Sequence, residues 1–465
     1  MKSVEQIKEK EAKRLIRYQA QRDWKPYKGY FVIVIILITL AAAVDEMCSN
    51  INGDLQSLIV TEFIQIPQNI DYNKAADQFV LFTTLASVSS LISPFYKSLA
   101  DKLGRKLFLW LNVLGMAIGL FLCYWSPNFA IYLLGFFIIS FFVTHDMQVV
   151  YIFEIAPENK RATLYGATKC VGTLSVILIP LLRKAFITSD DIGSWRKVFL
   201  IPACLAFLFA ILIFFLAKET NVFLDNRIAY LKRPYEERQK EIEEAKKKKS
   251  EPVEEGGHKT GVFPAIKYIF SHKDLRWVAI TQMIVGLSFA PLSSYYTSIM
   301  RDFKWEESSI TDALLLFSTI YALSMLLAGI CADHVGRKKV IVVCLSFDVL
   351  GFLLFVFGSK YFWNAYLVGV VMSLYRSGLY IAYDYLTLIA SEMCPTEIRG
   401  SVMGGQSLCS YLCVAIGLGL VSLVLMNLVT GFACLTIGLP FAVISLVIAI
   451  VFLKDSKGVN LEAIK

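Results

Sequence analysis

The sequence predicts an all-α membrane protein whose twelve transmembrane helices form two pseudo-symmetric six-helix bundles. Three observations carry this. First, 56% of the 465 residues are hydrophobic, with 33 Phe and 22 Tyr, and the mean hydropathy is +0.57; a soluble chain of this length rarely reaches such values. Second, Asp101-Lys102-Leu103-Gly104-Arg105-Lys106 recurs as Asp333-His334-Val335-Gly336-Arg337-Lys338, each copy lying between two long apolar runs. Third, Asp146 to Gly166 aligns without a gap on Asp384 to Gly404, matching Glu154 with Glu392, Pro157 with Pro395 and Arg161 with Arg399. The chain is built twice, as parallel copies of slightly different length.

A spanning helix needs about 20 apolar residues. Twelve runs qualify, at roughly 30–58, 75–99, 107–126, 129–153, 163–186, 197–217, 277–300, 309–331, 340–359, 363–390, 400–427 and 430–453. They divide the chain into a tail (1–28), a first bundle (29–217), a polar linker (218–276), a second bundle (277–453) and a short C-terminal tail (454–465). The net charge is +8, and Lys and Arg concentrate in the N-terminal tail, the two hairpins and the linker, all on one side of the membrane by this span count. That asymmetry places both termini in the cytoplasm of a multi-pass cell-membrane protein and accounts for the basic balance without nucleic acid. No cleavable signal is expected, because Met1 to Lys28 is polar and the first apolar run is long enough to span.

The tail mixes Ile7, Leu15, Ile16 and Tyr18 with many charges. It reads either as a helix lying on the inner leaflet or as a solvated retention tail. Within the linker, Arg238 to Lys249 has mixed charge and few apolar residues, which favours an exposed helix followed by a flexible loop near Gly256-Gly257. The ten cysteines show no Cys-x-x-Cys spacing and read as small buried residues, so neither a disulfide, a metal nor a cofactor is indicated. No Gly-x-x-x-x-Gly-Lys-[Ser/Thr] loop is present, which argues against ATP-driven pumping, and no nucleophile motif suggests an enzyme.

Parallel duplication with a central site is a signature of membrane transporters. The two Asp-x-x-Gly-Arg-Lys hairpins resemble those of the major facilitator superfamily, where such a hairpin joins the second and third helices of each half. Gly193-Ser194-Trp195-Arg196-Lys197-Val198-Phe199, Glu154 to Arg161, and Lys454 to Glu462 are similar to segments of its sugar-porter branch. The resemblance covers nearly the whole chain. It implies the major facilitator fold and a secondary active transporter working by alternating access.

Several positions depart from the sugar-porter pattern. Leu134 aligns with that branch's fourth-helix Arg, Lys169 with its fifth-helix Gln, and Tyr383-Asp384 with Thr387 stand in place of its Gly-Pro-x-x-Trp. Thr281-Gln282 keeps half of a Gln-Gln pair, Tyr295-Tyr296 come three residues late, and Glu219-Thr220-Asn221 lacks the Pro-Arg of Glu-Ser-Pro-Arg. The resemblance therefore keeps the scaffold and alters the groups that would read a hexose.

An ionisable side chain at a helix centre costs on the order of 2.5–3.5 kcal/mol, so such residues face a wet cavity or one another. Asp45 sits about 21 Å along the first span of a layer roughly 30 Å thick. With Glu46 it is the candidate proton-coupling site, since the resemblance sets Asp45 where symporting members take up a proton. Lys169 is the expected partner of Asp45, either in a titrating pair or in a permanent structural one. Asp146, Lys169, Arg376 and Asp384 are candidate substrate contacts, joined by Gln282, Ser288, Tyr295, Tyr296 and Tyr380, with Tyr375 and Tyr383 beside them. Lys169 and Arg376 favour an anionic solute, unless they merely neutralise Asp146 or Asp384. The stretch Gly286 to Pro291 is a candidate gate hinge.

At the hairpins, Asp101, Gly104, Arg105, Asp333, Gly336 and Arg337, with Glu154, Arg161, Glu392 and Arg399, resemble the superfamily's gating network. Cations that simply retain these loops inside are the plainer account. The resulting expectation is a monomeric proton symporter of a small organic solute, an organic anion or carboxylate. The alternatives are a sugar or polyol:proton symporter, a proton-coupled multidrug antiporter and a transporter-like sensor that no longer cycles.

Overall fold

The computed structural model describes residues 4–143, 147–156, 161–188, 191–240, 262–293, 296–302, 305–358, 364–394, 398–420 and 431–456. Among them, twelve helical rods follow one another as spans, several of them broken. Tyr30–Val60 is the first; Tyr72–Ala86 and Ser89–Leu103 make the second; Arg105–Trp125 is the third. Phe129–Val143 with Met147–Ile155, Arg161–Leu174 with Leu178–Phe186, and Arg196–Leu216 are the fourth to sixth. In the second half, Lys273–Ser293 with Tyr296–Asp302 is the seventh, followed by Glu307–Val335, Arg337–Gly358, Ala365–Glu392, Arg399–Leu420 and Gly431–Phe452.

Each half buries its own apolar core. One gathers Ile38, Ile51, Tyr132, Trp195 and Phe199, the other Phe317, Phe352, Tyr375 and Leu386. The two meet where the second and eleventh spans touch, since Val80 packs into the second core and Met403 into the first. The fifth span lies along the eighth, and a Cβ added at Gly166 would sit 3.7 Å from the Gly329 Cα. Small residues at a crossing allow close backbone approach where no hydrophobic driving force separates helix from lipid. Large apolar side chains such as Trp125, Phe215, Leu327 and Val451 face outward in a belt that needs lipid around it.

The seventh span departs from the sequence expectation. Lys273–Ser293 is one helix straight through Gly286 and Pro291, and the next helix starts at Tyr296. Residues 294–295 lie outside the described residues. A proline removes one backbone bond, which neighbouring helices in a bundle tolerate.

The N-terminal tail is a helix, Val4–Arg22, and its partner is the linker helix Asn221–Lys232. Arg22 pairs with Asp225 at 2.7 Å, Arg238 with Glu11 at 2.7 Å, and Tyr18 meets Phe223 edge-on. The Asp225 carboxylate raises the Arg22 guanidinium above its ordinary value, chiefly through their hydrogen bond. Residues 241–261, including Gly256-Gly257, lie outside the described residues.

Candidate functional site

Charges converge midway along the spans. Glu46 of the first span, Lys169 of the fifth and Asp384 of the tenth form one group, with the Lys169 Nζ 3.1 Å from Glu46 Oε1 and 3.4 Å from Asp384 Oδ2. Asp45 points elsewhere, because adjacent helical residues diverge by about 100°. Its Oδ2 accepts from the Gln148 Nε2 at 3.2 Å. The expected Asp45–Lys169 pair is thus replaced by a Glu46–Lys169–Asp384 triad. Leu134, set against the family's cation, is half-exposed on the fourth span.

Beside the triad, the second half contributes mainly uncharged groups. The Gln282 Nε2 donates to Thr387 Oγ1 at 2.8 Å, Gln406 donates to Gln282 Oε1, and Ser410 donates to the Gln282 carbonyl at 3.5 Å. Ser288 lines a small void with Phe289, Tyr375, Arg376 and Tyr380. Arg376 reaches across the halves: its Nη2 donates to Asn50 Oδ1 at 3.1 Å and to the Tyr380 hydroxyl at 3.3 Å. Its guanidinium also lies over the rings of Phe317 at 4.1 Å and Tyr296 at 4.2 Å. Asp146 and Tyr295 lie outside the described residues.

At the end away from the hairpins, the two halves are latched together. Arg183, fully buried at the end of the fifth span, donates to Glu307 Oε2 at 2.7 Å, to Thr311 Oγ1 at 3.2 Å and to the Asp54 carbonyl. Tyr296 donates to Asp54 Oδ1, Thr297 to the Gly53 carbonyl at 3.2 Å, and Arg301 to the Ser57 carbonyl at 2.8 Å and to Thr61 Oγ1. Tyr296, expected among the substrate contacts, is thus part of this closure. Sequence reasoning missed Asn50, Asp54, Arg183 and Glu307. Asn50 and Asp54 were detectable, as polar residues one turn apart within an apolar run.

At the hairpin end, two ion pairs among the described residues lie inside one half each. Arg105 Nε donates to Glu154 Oε1 at 2.9 Å, and Arg337 Nη2 pairs with Glu392 Oε1 at 3.4 Å. Thr220 donates to Glu154, as Ser456 does to Glu392. Both hairpin glycines have positive φ, +119° at Gly104 and +101° at Gly336, which a side chain rarely adopts. A carboxylate fills the space a Cβ would take: Glu219 accepts from the Arg105 amide at 2.8 Å, and Asp455 from the Arg337 amide at 3.0 Å. Each carboxylate satisfies orphan N–H groups at a helix start. Burial pushes the Glu219 carboxyl up, against the pull of the Thr220, Arg105 and Lys106 amides. Asp101 and Asp333 close the preceding helices, and Arg161 and Arg399 open the fifth and eleventh spans.

Two six-helix halves, latched at one end around a buried charged centre, define a polytopic membrane transporter. The Major Facilitator Superfamily model matches residues 30–296 and 278–463, and the chain belongs to that family. It is similar to the glucose transporter GlcP of Staphylococcus epidermidis, 25% identical over 79% of this chain and 83% of that one. It is also similar to the minor myo-inositol transporter IolF of Bacillus subtilis, at 24% identity over 82% of each. The crystal structure of a D-xylose–proton symporter superposes with a TM-score of 0.69 at 15% identity, covering 92% of this chain and 99% of that one. The protein is therefore a secondary transporter of a small solute and not an enzyme.

Proposed function

We propose that the protein is a proton symporter of a small polyhydroxylated solute, a sugar or polyol. The observation that carries this is the pairing of Lys169 with both Glu46 and Asp384. Of the two cations on which an organic-anion reading leaned, Lys169 and Arg376, that pairing engages Lys169. Beside it, Gln282, Gln406, Thr387 and Ser410 offer amides and hydroxyls suited to a neutral, hydroxyl-rich solute. The similarity to glucose and inositol transporters supports the same class.

In this reading Asp45 and Glu46 handle the proton. Gln282, Ser288, Arg376, Tyr380 and Asp384 border the solute, and the hairpin end is cytoplasmic. The conformation described here is then closed to the outside, with the hairpin networks awaiting the opposite state. Proteoliposomes holding the purified chain test it. An imposed inward proton gradient should drive accumulation of labelled myo-inositol or glucose, and Asp45→Asn should abolish that accumulation. Uptake confined to carboxylates, export under the same gradient, or binding without counterflow would each overturn the proposal.

A further inference from the structure

Four cations are buried among the described residues, and three of them are paired: Lys169 with Glu46, Arg183 with Glu307 and Arg238 with Glu11. Arg376 is the exception. It is 4% exposed on the tenth span, forms no ion pair with a described carboxylate, and leaves its Nε and Nη1 without a hydrogen-bond partner. Its Nη2 donates only to neutral groups, Asn50 Oδ1 and the Tyr380 hydroxyl. The rings of Phe317 and Tyr296 attract the cation but accept nothing from its in-plane donors. Asp54 is reached through Tyr296, whose ring carries the guanidinium and whose hydroxyl donates to Asp54 Oδ1. A buried charge without a bonded counter-charge is costly, and donors left unmade add to that cost.

Arg376 lines the small void. Its volume is about 10 Å³, near the least that admits one water. Two other groups that line it, the Ser288 and Tyr375 hydroxyls, are buried and likewise without a partner. The polar side chains around the void are thus three hydroxyls and a guanidinium, and no carboxylate or amide side chain joins them. All four can donate. A water there answers some of the donors and leaves the charge standing, and so does a solute hydroxyl. One small anion answers both.

The structure assigns to this void a monatomic anion of the halide class, chloride in physiological salt, held by Arg376 and by the Ser288 and Tyr375 hydroxyls. The anion is a resident counter-ion and not the cargo, since a carboxylate is too large for a space that admits one water. The site itself stands on the unpaired guanidinium and goes beyond the sugar-or-polyol reading. Its effect on the solute rests on that reading: a neutral molecule bordered by Arg376 meets an uncancelled charge unless an anion is already in place. Halide therefore acts as an activator of solute binding.

The test is thermal unfolding of the purified full-length protein, without solute, as sodium chloride replaces sodium methanesulfonate at constant ionic strength, which holds screening fixed. The wild type should gain melting temperature saturably with chloride, and Arg376→Gln should abolish the gain. Ser288→Ala and Tyr375→Phe each remove one donor and should raise the half-saturating chloride concentration roughly tenfold. Chloride should also tighten binding of labelled myo-inositol by the wild type. A wild type that melts alike in both salts, a gain that survives Arg376→Gln, or chloride that displaces myo-inositol overturns the proposal. Should Arg376→Gln not fold, a half-saturation unchanged in both Ser288→Ala and Tyr375→Phe does the same. A protein that accumulates myo-inositol or glucose yet shows no chloride gain loses the anion site alone. One that gains with chloride yet transports no sugar or polyol loses the symport reading and keeps the site.

Discussion

The two ends of the molecule are tied in opposite ways. At the latched end, bonds run between the halves: Arg183 to Glu307, Tyr296 to Asp54, Arg301 to Ser57. At the hairpin end, Arg105–Glu154 and Arg337–Glu392 remain within their own halves, and among the described residues no ion pair there crosses. A bond between halves contributes to one conformation and is lost in the other, whereas a bond within a half is carried through both. The first kind sets the conformational balance and the second kind sets the integrity of each half. Cutting the two kinds should therefore give different phenotypes.

The largest effect is expected from Arg183→Leu. It leaves Glu307 without its buried partner and the Asp54 carbonyl without a donor, a loss of about 3 kcal/mol for a broken buried pair. All of that loss falls on the latched state. Hydrogen exchange should rise sharply in Tyr296–Asp302 while the melting temperature falls little, and unchanged exchange there would remove the latch from the account. Gly104→Ala is the intermediate case, at about 1–2 kcal/mol for a side chain forced into a left-handed conformation. Its new methyl also meets the Glu219 carboxylate. The melting temperature should drop without a shift in exchange at the latch, and the reverse pattern would break the contrast between ends.

Glu219→Gln should have the smallest effect. The native carboxyl is raised by burial, so the fold favours its protonated form. The stability this contributes is present at low pH and fades as pH rises through the raised value. The amide cannot ionise, so the melting temperature of the wild type relative to the variant should decline from acidic to alkaline pH. A wild type that instead gains on the variant as pH rises would mean that the three backbone donors outweigh the burial.

The scaffold was legible because hydropathy and repetition are properties of residues taken in order. Gly104 and Gly336 are the glycines of the two Asp-x-x-Gly-Arg-Lys motifs, and the span limits follow from apolar run length. Pairing across space was less legible. Lys169 is plainly a cation inside a membrane helix, yet nothing in its flanking residues says that it takes Glu46 and Asp384 and leaves Asp45 to Gln148. That choice depends on helix rotation, which a count of apolar residues does not fix. Arg183 and Glu307 escaped notice for another reason. Charges at span ends are the ordinary flanks of any membrane helix, and only the contact between halves distinguishes them. The anion reading likewise counted Lys169 and Arg376 as charges without their neighbours.

The residues after the sixth and twelfth spans have a practical bearing on how the protein is handled. Glu219 with Thr220, and Asp455 with Ser456, leave their own helices and become the stoppers of two others. A C-terminal extension that looks disposable therefore contains a working part of the ninth span's first turn. Reporter fusions and trimmed versions should join the chain beyond Ser456, because a cut even two residues earlier would uncork that helix and be mistaken for a transport defect.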